Sequence, residues 1–142
     1  MMTIKIKKLH PDAILPKYAN EHDAGMDLYA SESLILQPGK RKLVSTGIAM
    51  AIPQGYVGLM WDKSGIAMKY GLKTMAGVID TGYRGEIKIL VHNLSNQEYL
   101  IEKGYKIAQM LIQPIEKKQL LEVEELDTTD RGEGGFGSSG LT

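Results

Sequence analysis

Residues 76–94, AGVIDTGYRGEIKILVHNL, decide the architecture. From Glu86 onward, Ile87, Ile89 and Val91 recur at every second position, the period of a strand with one face buried. Before that run, Val78 and Ile79 lead into Asp80-Thr81-Gly82-Tyr83, whose Asp and Gly favour a tight turn. The stretch therefore predicts a β-hairpin feeding a strand.

The same period appears on either side. Thr3–Lys7 alternate within a strand expected over 2–9, and Leu34 and Leu36 precede a Pro38-Gly39 turn in a strand over 33–37. Strands are expected at 42–52, closed by Pro53-Gln54-Gly55, and at 56–61, 98–101 and 106–115, the last two split by Lys103-Gly104. Only Ser64–Tyr70 suggests a helix, with Ser64 as its N-cap. Many short strands parted by 16 glycines predict an all-β sandwich, barrel or jelly roll. From Asp127 the chain turns to Gly, Ser and Thr, which divides it into a β domain over 1–126 and a mobile arm over 127–142.

Composition narrows the function. With 142 residues, one domain with a real core is expected. Seventeen basic residues balance seventeen acidic ones, so no long-range pull toward nucleic acid or an anionic membrane arises. The absence of cysteine excludes disulfides, thiolate metal sites and thiol nucleophiles. His10, His22 and His92 are too scattered to suggest a multi-histidine metal site. The N-terminal MMTIKIKKLH has no apolar leader, which reads as an unexported, cytoplasmic protein.

Five segments carry polar residues that a strand does not need. In AGMDLYA (24–30), Asp27 fits either a turn cap or a functional carboxylate. In DKSGIAMKYG (62–71), Lys63, Ser64 and Gly65 offer a charge, a hydroxyl and backbone N–H groups to an anion, or simply an exposed helix start. Asp80 follows the apolar pair Val78-Ile79, an unusual place for a charge and a hint of a catalytic carboxylate. Gln109 interrupts the apolar run of GYKIAQMLI (104–112) and needs partners if buried. In RGEGGFGSSG (131–140), glycines allow close wrapping of a ligand, and Arg131, Ser138 and Ser139 could meet phosphate. Phe136, the only phenylalanine, sits among them. A Walker A loop is excluded, since no Gly-Lys-Ser/Thr follows the glycines.

In their order and spacing these five segments resemble the motifs of the trimeric dUTPase family, over residues 24–140. The resemblance implies a jelly-roll-like β barrel, a homotrimer with sites shared between subunits, and hydrolysis of dUTP to dUMP and pyrophosphate, which limits uracil incorporation into DNA. It implies that Ala76, Gly77, Val78 and Ile79 receive the uracil, and that Tyr83 lies against the deoxyribose. Asp80 would orient or deprotonate the attacking water. Lys63, Ser64, Gly65, Lys88 and Gln109 would complete the substrate and phosphate contacts. Arg131, Gly137, Ser138 and Ser139 would clamp the γ-phosphate while Phe136 stacks on the base. Mg²⁺ would ride on the triphosphate, with Asp27 acting through a bound water and no side chain ligating the metal directly. Two positions depart from the family, which usually has Arg at Lys63 and often Pro at Asp62. Lys63 is expected to touch the triphosphate, or else to pair with Asp62 on the surface. A dCTP-deaminating relative and a non-catalytic binding protein on the same scaffold are the competing readings.

Overall fold

The computed structural model describes residues 2–142. Its strands are β1 (Lys5–Lys8), β2 (Met26–Tyr29), β3 (Leu34–Leu36), β4 (Arg41–Ala51), β5 (Tyr56–Asp62), β6 (Leu72–Met75), β7 (Val78–Ile79), β8 (Glu86–Asn93), β9 (Tyr99–Ile101) and β10 (Lys106–Pro114), with one helix, α1 (Ser64–Tyr70), between β5 and β6. The all-β expectation holds. Pairing gives two four-stranded sheets, β1-β4-β8-β6 and β2-β10-β5-β7, and a β3-β9 ribbon. The sheets are not joined into a closed ring of hydrogen bonds, so β1, β6, β2 and β7 remain edge strands.

Alternation sets which side chains fill the space within. Ile87, Ile89 and Val91 of β8 are buried with Val44, Ile48 and Met50 of β4. Leu28, Met60, Ala108 and Met110 join the same cluster from the second sheet. The long strand β4 shifts register between Ser45 and Ala49, around Gly47 at φ 71°. The Gly47 N–H there donates to Glu86 Oε1 at 3.2 Å.

Two local expectations need correction. Residue 64 opens α1, but the capping position belongs to Lys63, and no side chain caps the helix. The pair Val78-Ile79 is not buried as its apolar character suggests. Val78 is 65% exposed, because β7 is an edge strand bonded only to β5. Two strands, β2 and β6, lie outside the expected strand set. The second follows directly on Gly71, whose left-handed φ of 65° ends the helix.

The last strand ends at Pro114, and residues 115–142 contain neither strand nor helix. From Thr129 the chain folds into successive turns on itself, including Gly132 N–H to Thr129 O at 3.1 Å and Gly140 N–H to Gly137 O at 2.9 Å.

Candidate active site

Register in the second sheet places one cluster. Gln109 of β10 lies opposite Asp27 of β2 on one side and Trp61 of β5 on the other. Residues facing each other in an antiparallel pair point to the same face. Asp27, Gln109 and Trp61 therefore share a face, beside an open cleft of 410 Å³ lined by Ala24, Trp61, Asp62, Ser64, Gln109 and Leu111. Ser64 and Gly65 are exposed at the mouth, and nothing occupies the space above Gly65. The first N–H groups of a helix have no partner within it, so donors are available here.

At the base of this cluster sits Asp27, only 2% exposed. The Lys63 ammonium donates to Asp27 Oδ1 at 2.5 Å, and Lys106 Nζ stands 3.0 Å from Oδ2. The second contact is an ion pair without hydrogen-bond alignment, which leaves Oδ2 buried and without a hydrogen bond. Burial pushes the Asp27 carboxyl up, but the Lys63 and Lys106 ammonium groups outweigh it and hold it below the ordinary carboxylate range. In return, Asp27 raises Lys106 above the usual lysine value.

The surface pairing of Lys63 with Asp62 does not form. Asp62 accepts from Thr74 N–H at 2.6 Å, from Thr74 Oγ1 at 2.8 Å and from Lys73 Nζ at 2.7 Å. Burial raises its carboxyl, and the Lys73 and Thr74 contacts bring it below the ordinary value. Its negative charge is thus already compensated beside the cleft. Its backbone carbonyl accepts from Gln109 Nε2 at 2.8 Å, which satisfies the polar residue in the apolar strand.

The hairpin forms a second, separate piece. Ala76, at φ 56°, and Gly77, at φ 95°, turn the chain into β7. The Ala76 conformation is one that non-glycine residues rarely adopt. Gly77 O accepts from Met60 N–H at 2.8 Å, and a Cβ on Gly77 would stand 2.7 Å from Met60 Cβ. Beyond β7, Asp80 is exposed, and its carbonyl accepts from Tyr83 N–H at 3.1 Å. Thr81 Oγ1 ties the tip to Ile52 O at 2.7 Å. Tyr83 donates its hydroxyl to Glu86 O at 2.9 Å and packs over Gly85, where a Cβ would meet its oxygen at 2.5 Å.

These pieces do not meet within one chain. Ile79 lies opposite Gly58, whereas Gln109 lies opposite Trp61. That is a separation of about 10 Å along β5, on opposite sides of that strand. Lys88, exposed on β8, lies in the other sheet, 3.7 Å from Glu86. Arg131, Phe136, Gly137, Ser138 and Ser139 surround a hollow made by the arm alone, where Arg131 Nε donates to Gly134 O at 2.9 Å.

Lys106 is the residue the sequence reading missed. A lone cation heading the apolar run Ile107–Ile112 was the available signal. Its significance depends on its distance to Asp27, which pattern alone does not give.

Residues 11–140 match the dUTPase family model. The deoxyuridine 5'-triphosphate nucleotidohydrolase of Clostridium kluyveri is 48% identical, covering 98% of this chain and 99% of its own length. That of Nautilia profundicola is 46% identical with the same coverage, 98% and 99%. Among solved structures, the Staphylococcus bacteriophage 80alpha dUTPase with dUpNHpp matches at a TM-score of 0.93 and 34% identity, over 99% of this chain and 100% of that one. A mutant dUTPase from phage phi11 of S. aureus, described with a structural Mg(II) ion, matches at a TM-score of 0.82 and 30% identity, over 87% and 98% of the two chains. On the match of its sequence and its fold, this chain belongs to the dUTPase family.

Proposed function

We infer that this chain is a dUTP nucleotidohydrolase, releasing dUMP and pyrophosphate, and that its active site is assembled from three subunits of a jelly-roll-like trimer. The observation that carries the shared-site reading is the separation of the hairpin, the Asp27–Lys63–Gln109 cluster and the arm within one chain.

The outer edge of β7 has no strand partner, so backbone N–H and C=O groups at Val78 and Ile79 are free to pair with a base. A base that presents the opposite donor and acceptor order, as cytosine does against uracil, leaves buried polar groups unpaired and is rejected. Tyr83, held by Glu86 and Gly85, forms the wall against the sugar. Asp80 orients or deprotonates the water that attacks the α-phosphorus in line. Lys63 has three ammonium donors and gives one to Asp27, which leaves donors for the triphosphate. Ser64, Gly65 and Gln109 hold phosphate and the leaving oxygen. Arg131, Gly137, Ser138 and Ser139 clamp the γ-phosphate, and Phe136 covers the base.

The donor set fits Mg²⁺ that arrives bound to the triphosphate. Among the described residues no three His, Asp or Glu side chains gather as a metal cage. The one carboxylate in the cluster, Asp27, is buried with its Oδ2 ion-paired to Lys106 and without a hydrogen bond, so it would meet a metal-bound water only once that ion pair gives way. Mg²⁺ would offset charge on the phosphate oxygens, as in other phosphoryl transfers.

Asp80→Asn tests the assigned base. The fold and nucleotide affinity are expected to persist while turnover falls roughly 10²–10⁴-fold. Near-normal turnover in that variant removes Asp80 from the mechanism.

A further inference from the structure

Gly25 precedes β2, is buried, and does not lie among the left-handed glycines, so its backbone does not require glycine. The space around it does. A Cβ at this position would stand 2.4 Å from Gln109 Oε1, 3.0 Å from Cδ and 3.1 Å from Cβ. The Gln109 side chain is therefore folded down over Gly25, and in that position its Nε2 reaches Asp62 O at 2.8 Å.

We propose that Gly25 is a positioning residue for Gln109, its missing side chain being the seat in which the Gln109 amide is held at the edge of the cleft. The inference rests on the reading that Gln109 contacts the phosphates or the leaving oxygen. The two closest atoms belong to the mobile end of Gln109, so an alanine at 25 is accommodated mainly by turning the amide. That movement breaks the bond to Asp62 O and sends the amide into the space lined by Ala24, Ser64 and Trp61. The third contact, to Gln109 Cβ, is tighter than ordinary van der Waals separation and is not relieved by turning the amide, so the backbone of β10 or of residue 25 must also give by a few tenths of an ångström.

A double-mutant cycle on the full-length chain tests this, reading kcat and KM for dUTP and thermal midpoint for Gly25→Ala, Gln109→Ala and the double variant. Gly25→Ala is expected to lower kcat roughly ten- to a hundred-fold, the loss typical of a displaced catalytic contact, with little change in binding of deoxyuridine, which lacks phosphate. In the Gln109→Ala background the same change is expected to cost nothing further in kcat and only a small fall in thermal midpoint, because alanine keeps the Cβ but not the amide. Losses that multiply across the two positions would overturn the proposal, as would wild-type kcat in Gly25→Ala. If Gly25→Ala alone fails to fold, the double variant is expected to fold; failure in both backgrounds overturns the proposal too. Wild-type kcat in Gln109→Ala would instead defeat the role given to Gln109, and with it the purpose of the seat.

Discussion

Two ammonium groups share one buried carboxylate in the cluster beside the cleft, and this sets what single substitutions will do. Lys63→Ala leaves Asp27 with Lys106 alone and, on the proposed role of Lys63, withdraws a cation from the triphosphate. A hydrogen bond to a charged group is worth about 1.5–3 kcal/mol. The expected fall in kcat/KM for dUTP is therefore roughly ten- to a hundred-fold, with dUMP binding much less affected and Lys63→Arg largely restoring activity. Wild-type kinetics for Lys63→Ala would assign the charge stabilisation elsewhere. Acid stability follows from the same contacts. Asp27 and Asp62 have carboxyls held below their unfolded values. Their stabilisation is therefore fully present above the unfolded carboxylate range, about pH 4, and is lost as pH falls through the folded values. Asp27→Asn is expected to flatten the low-pH side of the stability curve measured by urea unfolding; an unchanged acid limb would contradict this. Asp27 and Gln109 were legible as polar residues in apolar company. Their partners were not, because Lys63 is 36 positions from Asp27 and Asp62 is 47 from Gln109. Such contacts depend on strand register and on the path of the intervening chain.

Among the elements, alternation located β8 well, since its buried residues alternate, whereas β4 buries a continuous run from Thr46 to Met50 and was marked instead by its apolar length and the turn that closes it. It passed over β6, whose four residues offer only Leu72 and Thr74 as buried positions. It also misjudged β7, where apolar character marked an edge that the single chain leaves open. The turn into β7 depends on backbone conformation and close approach. At φ 95°, with Met60 Cβ 2.7 Å from where a Cβ would lie, Gly77→Ala is expected to destabilise the fold by about 1–3 kcal/mol and to displace Val78 and Ile79. Thermal unfolding checks this, and a midpoint equal to that of the unsubstituted chain would show that the turn relaxes without cost.

For the whole molecule, the proposed trimer would account for both the exposed apolar residues and the divided site. Trp61 is 52% exposed beside the cleft, Val78 is more exposed still on its edge strand, and Phe136 is fully exposed on the arm. Packing of subunits about a threefold axis would cover such residues and bring the three pieces together. Deleting residues 131–142 should leave the thermal midpoint almost unchanged, since the hydrogen bonds of this stretch run within the arm, yet cripple catalysis through loss of the proposed clamp. Mixing that truncated chain with Asp80→Asn subunits should restore part of the activity once subunits exchange; a fully active monomer would refute the shared arrangement. The change of character at residue 127 was readable from composition, but what the arm would close over was not, because under the proposed arrangement that is another chain. The most direct measurement is pyrophosphate release from dUTP beside dTTP, dCTP and UTP in Mg²⁺. Strong preference for dUTP is predicted, and comparable rates on dCTP or UTP would contradict the assignment of the β7 edge and Tyr83 to uracil and deoxyribose.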